Sequence, residues 1–103
     1  MLKISVLYPN GPNAKFDMTY YCGRHMALCQ EVLGAALKRV EVDEGVGGGG
    51  PGVPAPYVAI GHLYFDSVES YEKAWAPRGV EIVADVPNYT NVAPVLQVSF
   101  TKL

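Results

Sequence analysis

The sequence predicts an α+β chain of ferredoxin-like order, βαββαβ, with two helices on one face of a four-stranded antiparallel sheet. Three observations carry this expectation. Leu2, Ile4, Val6 and Tyr8 alternate with Lys3, Ser5 and Leu7, which is the period of a strand. Met18, Tyr21, Cys22, His25, Cys29, Val32 and Leu33 recur three and four apart, which is the period of a helix. Tyr57–Phe65, YVAIGHLYF, is apolar on both faces apart from His62 and the tyrosine hydroxyls, as a central strand is.

Taken in order, the first strand stops at Pro9-Asn10-Gly11-Pro12, a run that cannot continue a ladder. The long helix is expected over Phe16–Gly34. Asp17 is its N-cap, Phe16 packs back on the first turn as a staple, and Gly34 stops it. A turn through Ala35-Ala36 leads to a second strand, Leu37–Asp43, with one solvated face.

Gly45–Pro56, GVGGGGPGVPAP, is read as a mobile hairpin connection or lid. It is no phosphate cradle, because it lacks the Gly-Lys-Ser/Thr of a P-loop and runs into a strand where a dinucleotide site needs a helix. Ser67 caps a short helix through Ala76, with Val68, Tyr71, Ala74 and Trp75 inward. After Pro77-Arg78-Gly79, Val80–Val86 resumes a helix with Val80, Val83 and Ala84 on one face. Pro87–Thr90 turns the chain into a last strand, Val92–Leu103, in which Leu96, Val98 and Phe100 alternate with Gln97, Ser99 and Thr101.

Residues 1–103 make a single domain, and half of them are hydrophobic while 17% are charged. That ratio is apolar for so short a chain and implies surface buried by something other than its own fold. No helix remains to cover the far side of the sheet beneath the third strand, so a homodimer is expected. A net charge of −2 without runs of like charge offers nothing to nucleic acid or an anionic membrane. The opening MLKISVLYPN lacks the apolar core of a signal peptide and is read as a cytoplasmic start. Cys22 and Cys29, seven residues apart in one helix, are roughly 10 Å from each other along its axis, too far for a disulfide.

His25 is the first candidate for chemistry. It lies mid-stripe in the long helix, either as a satisfied core residue or as the working group of a pocket, where a neutral imidazole accepts a substrate proton. Tyr20 or Tyr21 could orient that ring or donate to a developing oxyanion, against a plain aromatic core role. Asp85 either pairs with His25 or braces the turn at Asn88 and Tyr89, and turn bracing is the favoured role. Tyr89 is a turn former or a residue facing a partner subunit. Trp75 and Phe16 are expected to line a cavity. His62 is a weaker candidate, supported only by apolar company on an unassigned face. Two histidines and two helix cysteines lack metal-ligand spacing, and no cofactor is expected.

Phe16, Tyr20-Tyr21, His25 and Leu28, followed by Asp85-Val86-Pro87-Asn88-Tyr89-Thr90-Asn91 before a Val-rich last strand, resemble the EthD family, named for ethyl tert-butyl ether degradation. The likeness covers nearly the whole chain. It implies a dimeric α+β barrel, in which the sheets of two subunits pack face to face. It also implies a pocket for a small hydrophobic or aromatic molecule, catalytic His25 with Tyr21 and Asp85, and binding positions at Phe16, Tyr20, Leu28, Trp75 and Tyr89. Family members accompany oxidative degradation systems, and related barrels include cofactor-free monooxygenases, a lactone isomerase and polyketide-processing lyases or cyclases. Two departures stand out: Tyr21 occupies the tryptophan position of a Tyr-Trp pair, and Ala27 replaces a proline two places after the histidine. The implied function is therefore acid–base catalysis without a cofactor or, alternatively, ligand binding as an accessory to an oxygenase system.

Overall fold

The computed structural model describes residues Met1–Leu103. Four strands, β1 (Leu2–Pro9), β2 (Arg39–Glu44), β3 (Tyr57–Phe65) and β4 (Val95–Phe100), form one antiparallel sheet in the order β2-β3-β1-β4. The two strands that lead into the helical crossovers, β1 and β3, thus take the centre, as the ferredoxin-like order requires.

The long helix is continuous but not uniform. It is α-helical at α1 (Met18–Tyr20), π-helical at Tyr21–His25 and α-helical again at α2 (Met26–Leu33). Asp17 caps it by accepting from the Tyr20 amide at 3.0 Å, and Phe16 meets Tyr21 edge to face at 5.0 Å between centroids. Gly34, with φ 61°, ends it. The π segment changes the predicted stripe. One wide turn rotates the helix so that Tyr21, His25, Met26, Cys29 and Leu33 point inward while Cys22 is exposed.

Ser67 caps α3 (Val68–Trp75), and α4 (Gly79–Ala84) follows. The expected inward face of α4 is reversed. Gly79 sits directly against the Trp75 indole, which sets the helix phase so that Ile82 is buried and Val80 is 75% exposed. Gly45–Pro56 is also better organised than a mobile connection. It extends the β2–β3 hairpin through Gly45 N–H to Val58 O at 2.9 Å and Gly48 N–H to Val53 O at 2.7 Å, and Asn10 holds its end at Pro56.

Leu2, Ile4, Val6 and Tyr8 share the helix-covered face with Ala59, Gly61, Leu63 and Phe65. Leu96, Val98 and Phe100 lie in register with Val6, Ile4 and Leu2 and so face the same way. All three are nonetheless 53–61% exposed. His62 belongs to the opposite face. There its ring bridges Ser5 Oγ at 3.0 Å and Asp43 Oδ2 at 2.9 Å, and Tyr64 donates to Glu41 at 2.6 Å. The far side of β3 is therefore a polar ladder among aliphatic groups.

Candidate functional site

The segment from Asp85 to Thr90 is pinned to the start of the long helix. Asp17 N–H donates to Tyr89 O at 2.8 Å, Phe16 and Thr90 form a bridge, and the Thr90 hydroxyl donates to Lys15 O at 2.6 Å. Tyr89 is thereby placed beneath the π segment, and Asp85, at the end of α4, lies beside it. A 3₁₀ turn, Val86–Asn88, makes this tight return possible.

His25, 4% exposed, turns Nδ1 to Oδ2 of Asp85 at 2.9 Å. The other carboxylate oxygen accepts from the Tyr20 hydroxyl at 2.7 Å and from Asn88 Nδ2 at 2.9 Å. Asp85 thus both orients the imidazole and braces the Asn88 turn, because a carboxylate has two oxygens to divide between the tasks. Burial alone would raise its pKa; the bonds from Asn88, His25 and Tyr20 outweigh that and hold it below the ordinary value. The same bond to Asp85 raises the Tyr20 phenol.

On its other side His25 Nε2 stands 3.5 Å from the Tyr89 hydroxyl, which in turn lies 2.6 Å from the Tyr8 hydroxyl. Tyr21 stacks on the imidazole at 5.3 Å with 14° between planes. Its hydroxyl rests on Gly61 of β3, where a Cβ would collide with it. Burial raises the phenols of Tyr8, Tyr21 and Tyr89 above their ordinary pKa. They are therefore donors that keep their protons at neutral pH.

A cavity of about 350 Å³ opens beside these groups, between the sheet and the helices. Fourteen of its seventeen lining residues are hydrophobic and none is Lys, Arg, Asp or Glu, so His25 is the only lining residue other than tyrosine and cysteine that can titrate. Of the residues singled out from the sequence, His25, Tyr21, Trp75 and Tyr89 line it. Asp85 is one shell back. Phe16 packs behind Tyr8, Tyr21 and Tyr89, Tyr20 serves Asp85, and Leu28 is half-buried away from the opening. The structure adds Tyr8, Ile82, Val86 and Cys29 to the lining. Burial pushes the Cys29 thiol up to about 12, which leaves it protonated and unreactive. No three His, Cys, Asp or Glu side chains gather to hold a metal ion, and no helix is long and apolar enough to cross a membrane.

The EthD domain family matches residues 13–93, which include every residue of the dyad and its supports except Tyr8. No protein of curated function matches the chain. Among solved structures, an EthD-like protein from Ralstonia eutropha JMP134 is 41% identical, with a TM-score of 0.90 over 95% of this chain and 88% of that one. An ethyl tert-butyl ether degradation family protein from Bacillus halodurans C-125 shares 20% identity, with a TM-score of 0.76 over 99% of both chains. A dimeric protein of ferredoxin-like fold from Bacteroides fragilis is similar in fold at 13% identity, with a TM-score of 0.51 over 97% of this chain and 95% of that one. On the family match and the identity to the Ralstonia protein, this chain belongs to the EthD family.

Proposed function

We propose that this protein binds a small hydrophobic or aromatic molecule in the cavity beside His25 and acts on it by acid–base chemistry without a cofactor, as a homodimer in a cytoplasmic degradative pathway. The observation that carries this reading is the Asp85–His25 pair at the edge of an apolar cavity. A carboxylate on Nδ1 fixes the ring, and His25 is among the residues that line the cavity. Tyr21 locks the ring by stacking, and Trp75 and Tyr89 shape the space. The uncovered apolar side chains of β4 support the homodimer, because such an edge invites pairing. Two unbridged cysteines fit a reducing compartment.

A second reading is a carrier that delivers its ligand to an oxygenase system and performs no chemistry. The near-complete burial of His25, 4% exposed, favours it, since a ring held so deep also serves packing. One experiment separates the two. Native mass spectrometry identifies the small molecule that co-purifies, and wild type and His25→Ala are then incubated with it. Retained binding with lost turnover supports catalysis; no conversion by wild type, with binding intact, leaves the carrier.

A further inference from the structure

We propose that the molecule this cavity serves is an uncharged carbonyl compound, and that the reaction is a proton shift next to its C=O group, with His25 as the base and Tyr89 as the donor to the enolate oxygen. The proposal rests on the acid–base reading above and specifies its substrate class. Four features of the site lead to it.

The tautomer of His25 follows from its partners. Asp85 Oδ1 is occupied by Tyr20 and Asn88, and Oδ2 has His25 Nδ1 at 2.9 Å. An ionised carboxylate only accepts, so Nδ1 carries a proton, and in the neutral ring the lone pair is on Nε2. The contact of Nε2 with Tyr89 Oη, 3.5 Å, lies at the long limit of hydrogen bonding and is easily exchanged for a substrate atom.

The donor is equally well defined. Tyr8 Oη and Tyr89 Oη are only 2.6 Å apart, so one phenol donates to the other. When Tyr8 donates, the Tyr89 proton is free to point at a ligand oxygen in the space it shares with Nε2. A base and a neutral donor on one wall, a few ångströms apart, match the two ends of an enolising H–C–C=O unit.

The walls exclude alternatives. A carboxylate or phosphate ester would enter without any Lys or Arg to meet it and with Asp85 nearby. The one thiol on the wall, Cys29, is buried and held protonated, so it does not serve as a nucleophile for a covalent intermediate. Enolisation needs neither. The C–H bond breaks and its proton goes to Nε2. The electron pair moves onto the carbonyl oxygen, which accepts a hydrogen bond from Tyr89. The proton on Nε2 exchanges with solvent, and a proton then returns to carbon at the original or a conjugated position, leaving the substrate or its isomer and neutral His25. No oxidant or reductant takes part.

The probe is β-tetralone, a neutral bicyclic ketone whose benzylic C–H exchanges in deuterium oxide. Proton NMR follows the exchange, and quenching of Trp75, the only tryptophan, reports occupancy of the cavity it lines. The expected result is exchange at least about tenfold above the buffer rate in wild type, abolished in His25→Ala and reduced about tenfold or more in Tyr89→Phe, with quenching retained in both variants. Quenching in wild type without accelerated exchange overturns the proton-shift assignment and leaves the binding cavity standing. Exchange that survives His25→Ala also overturns it. No quenching by β-tetralone or by its alcohol, β-tetralol, overturns the cavity reading as well.

Discussion

Nδ1 of His25 stands 2.9 Å from Oδ2 of Asp85, although 60 residues separate them in the chain. Three donors converge on that carboxylate, whose side chain is 13% exposed, and together they outweigh its burial. Because the folded pKa is depressed, the contribution to stability is present above the ordinary value of 3.8 and is lost as pH falls through the lower folded value. Asp85→Asn keeps the shape but presents an amide N–H to at least one donor. It should cost about 1.5–3 kcal/mol at neutral pH, the scale of hydrogen bonds to a charged group. Urea denaturation at several pH values checks this: the gap between wild type and variant should shrink under acid. Turnover of the co-purified ligand should fall by about 10²- to 10⁴-fold.

Gly61 is where the sheet accommodates Tyr21. The Tyr21 hydroxyl occupies the space a Cβ would need, so Gly61→Ala pushes the phenol away and with it the ring stacked on His25. Overpacking of this kind costs about 1–3 kcal/mol. The double variant Gly61→Ala with Tyr21→Phe removes the colliding oxygen and should recover most of that loss in thermal denaturation. Additive losses in the double variant would show that the two positions do not press on each other.

The strand alternations and the capping signals at Asp17 and Ser67 could be read from the sequence because they are local: period, cap and breaker lie within a few residues of one another. The π segment could not, since Tyr21, Cys22 and His25 satisfy an ordinary helix period equally well and only packing decides which turn widens. The face of α4 was misread for a similar reason. Its phase is fixed by the contact of Gly79 with Trp75 across a proline turn, not by Val80 and Val83. Asp85 offered two roles and the sequence favoured turn bracing, whereas the folded carboxylate does both. Tyr8 read only as a strand residue. The available signal was its inward register, because a buried phenol at a strand end needs a polar partner, here Tyr89.

Alkaline pH should unfold the protein through its inner tyrosines. Tyr8, Tyr21 and Tyr89 have raised pKa values, chiefly from burial, whereas in the unfolded chain each ionises near 10.0. Stability is therefore insensitive to these groups below that value. Above it the unfolded state sheds protons that the folded state keeps, and stability falls by up to about 1.4 kcal/mol per pH unit for each phenol. Tyrosinate absorbance and circular dichroism, followed together, should show these three ionising only as the fold is lost. Early ionisation of all seven tyrosines in a still-folded protein would contradict it.

The helix-side face of β4 carries Leu96, Val98 and Phe100, each more than half exposed, and no charged residue lies in the strand to keep other strands away. The opposite edge, β2, carries Arg39, Glu41, Asp43 and Glu44 and is protected by them. Association is therefore expected to cover β4. Val98→Asp places a charge in the middle of that strand, while Val80→Asp adds the same charge on an exposed turn of α4. In analytical ultracentrifugation wild type and Val80→Asp should sediment as dimers and Val98→Asp as a monomer with an unchanged circular dichroism spectrum. The cost of burying an unpaired carboxylate, several kcal/mol, exceeds what an interface of ordinary size can absorb without weakening many-fold. A wild-type monomer at micromolar concentration, or a Val98→Asp dimer, would mean that these side chains stay in water.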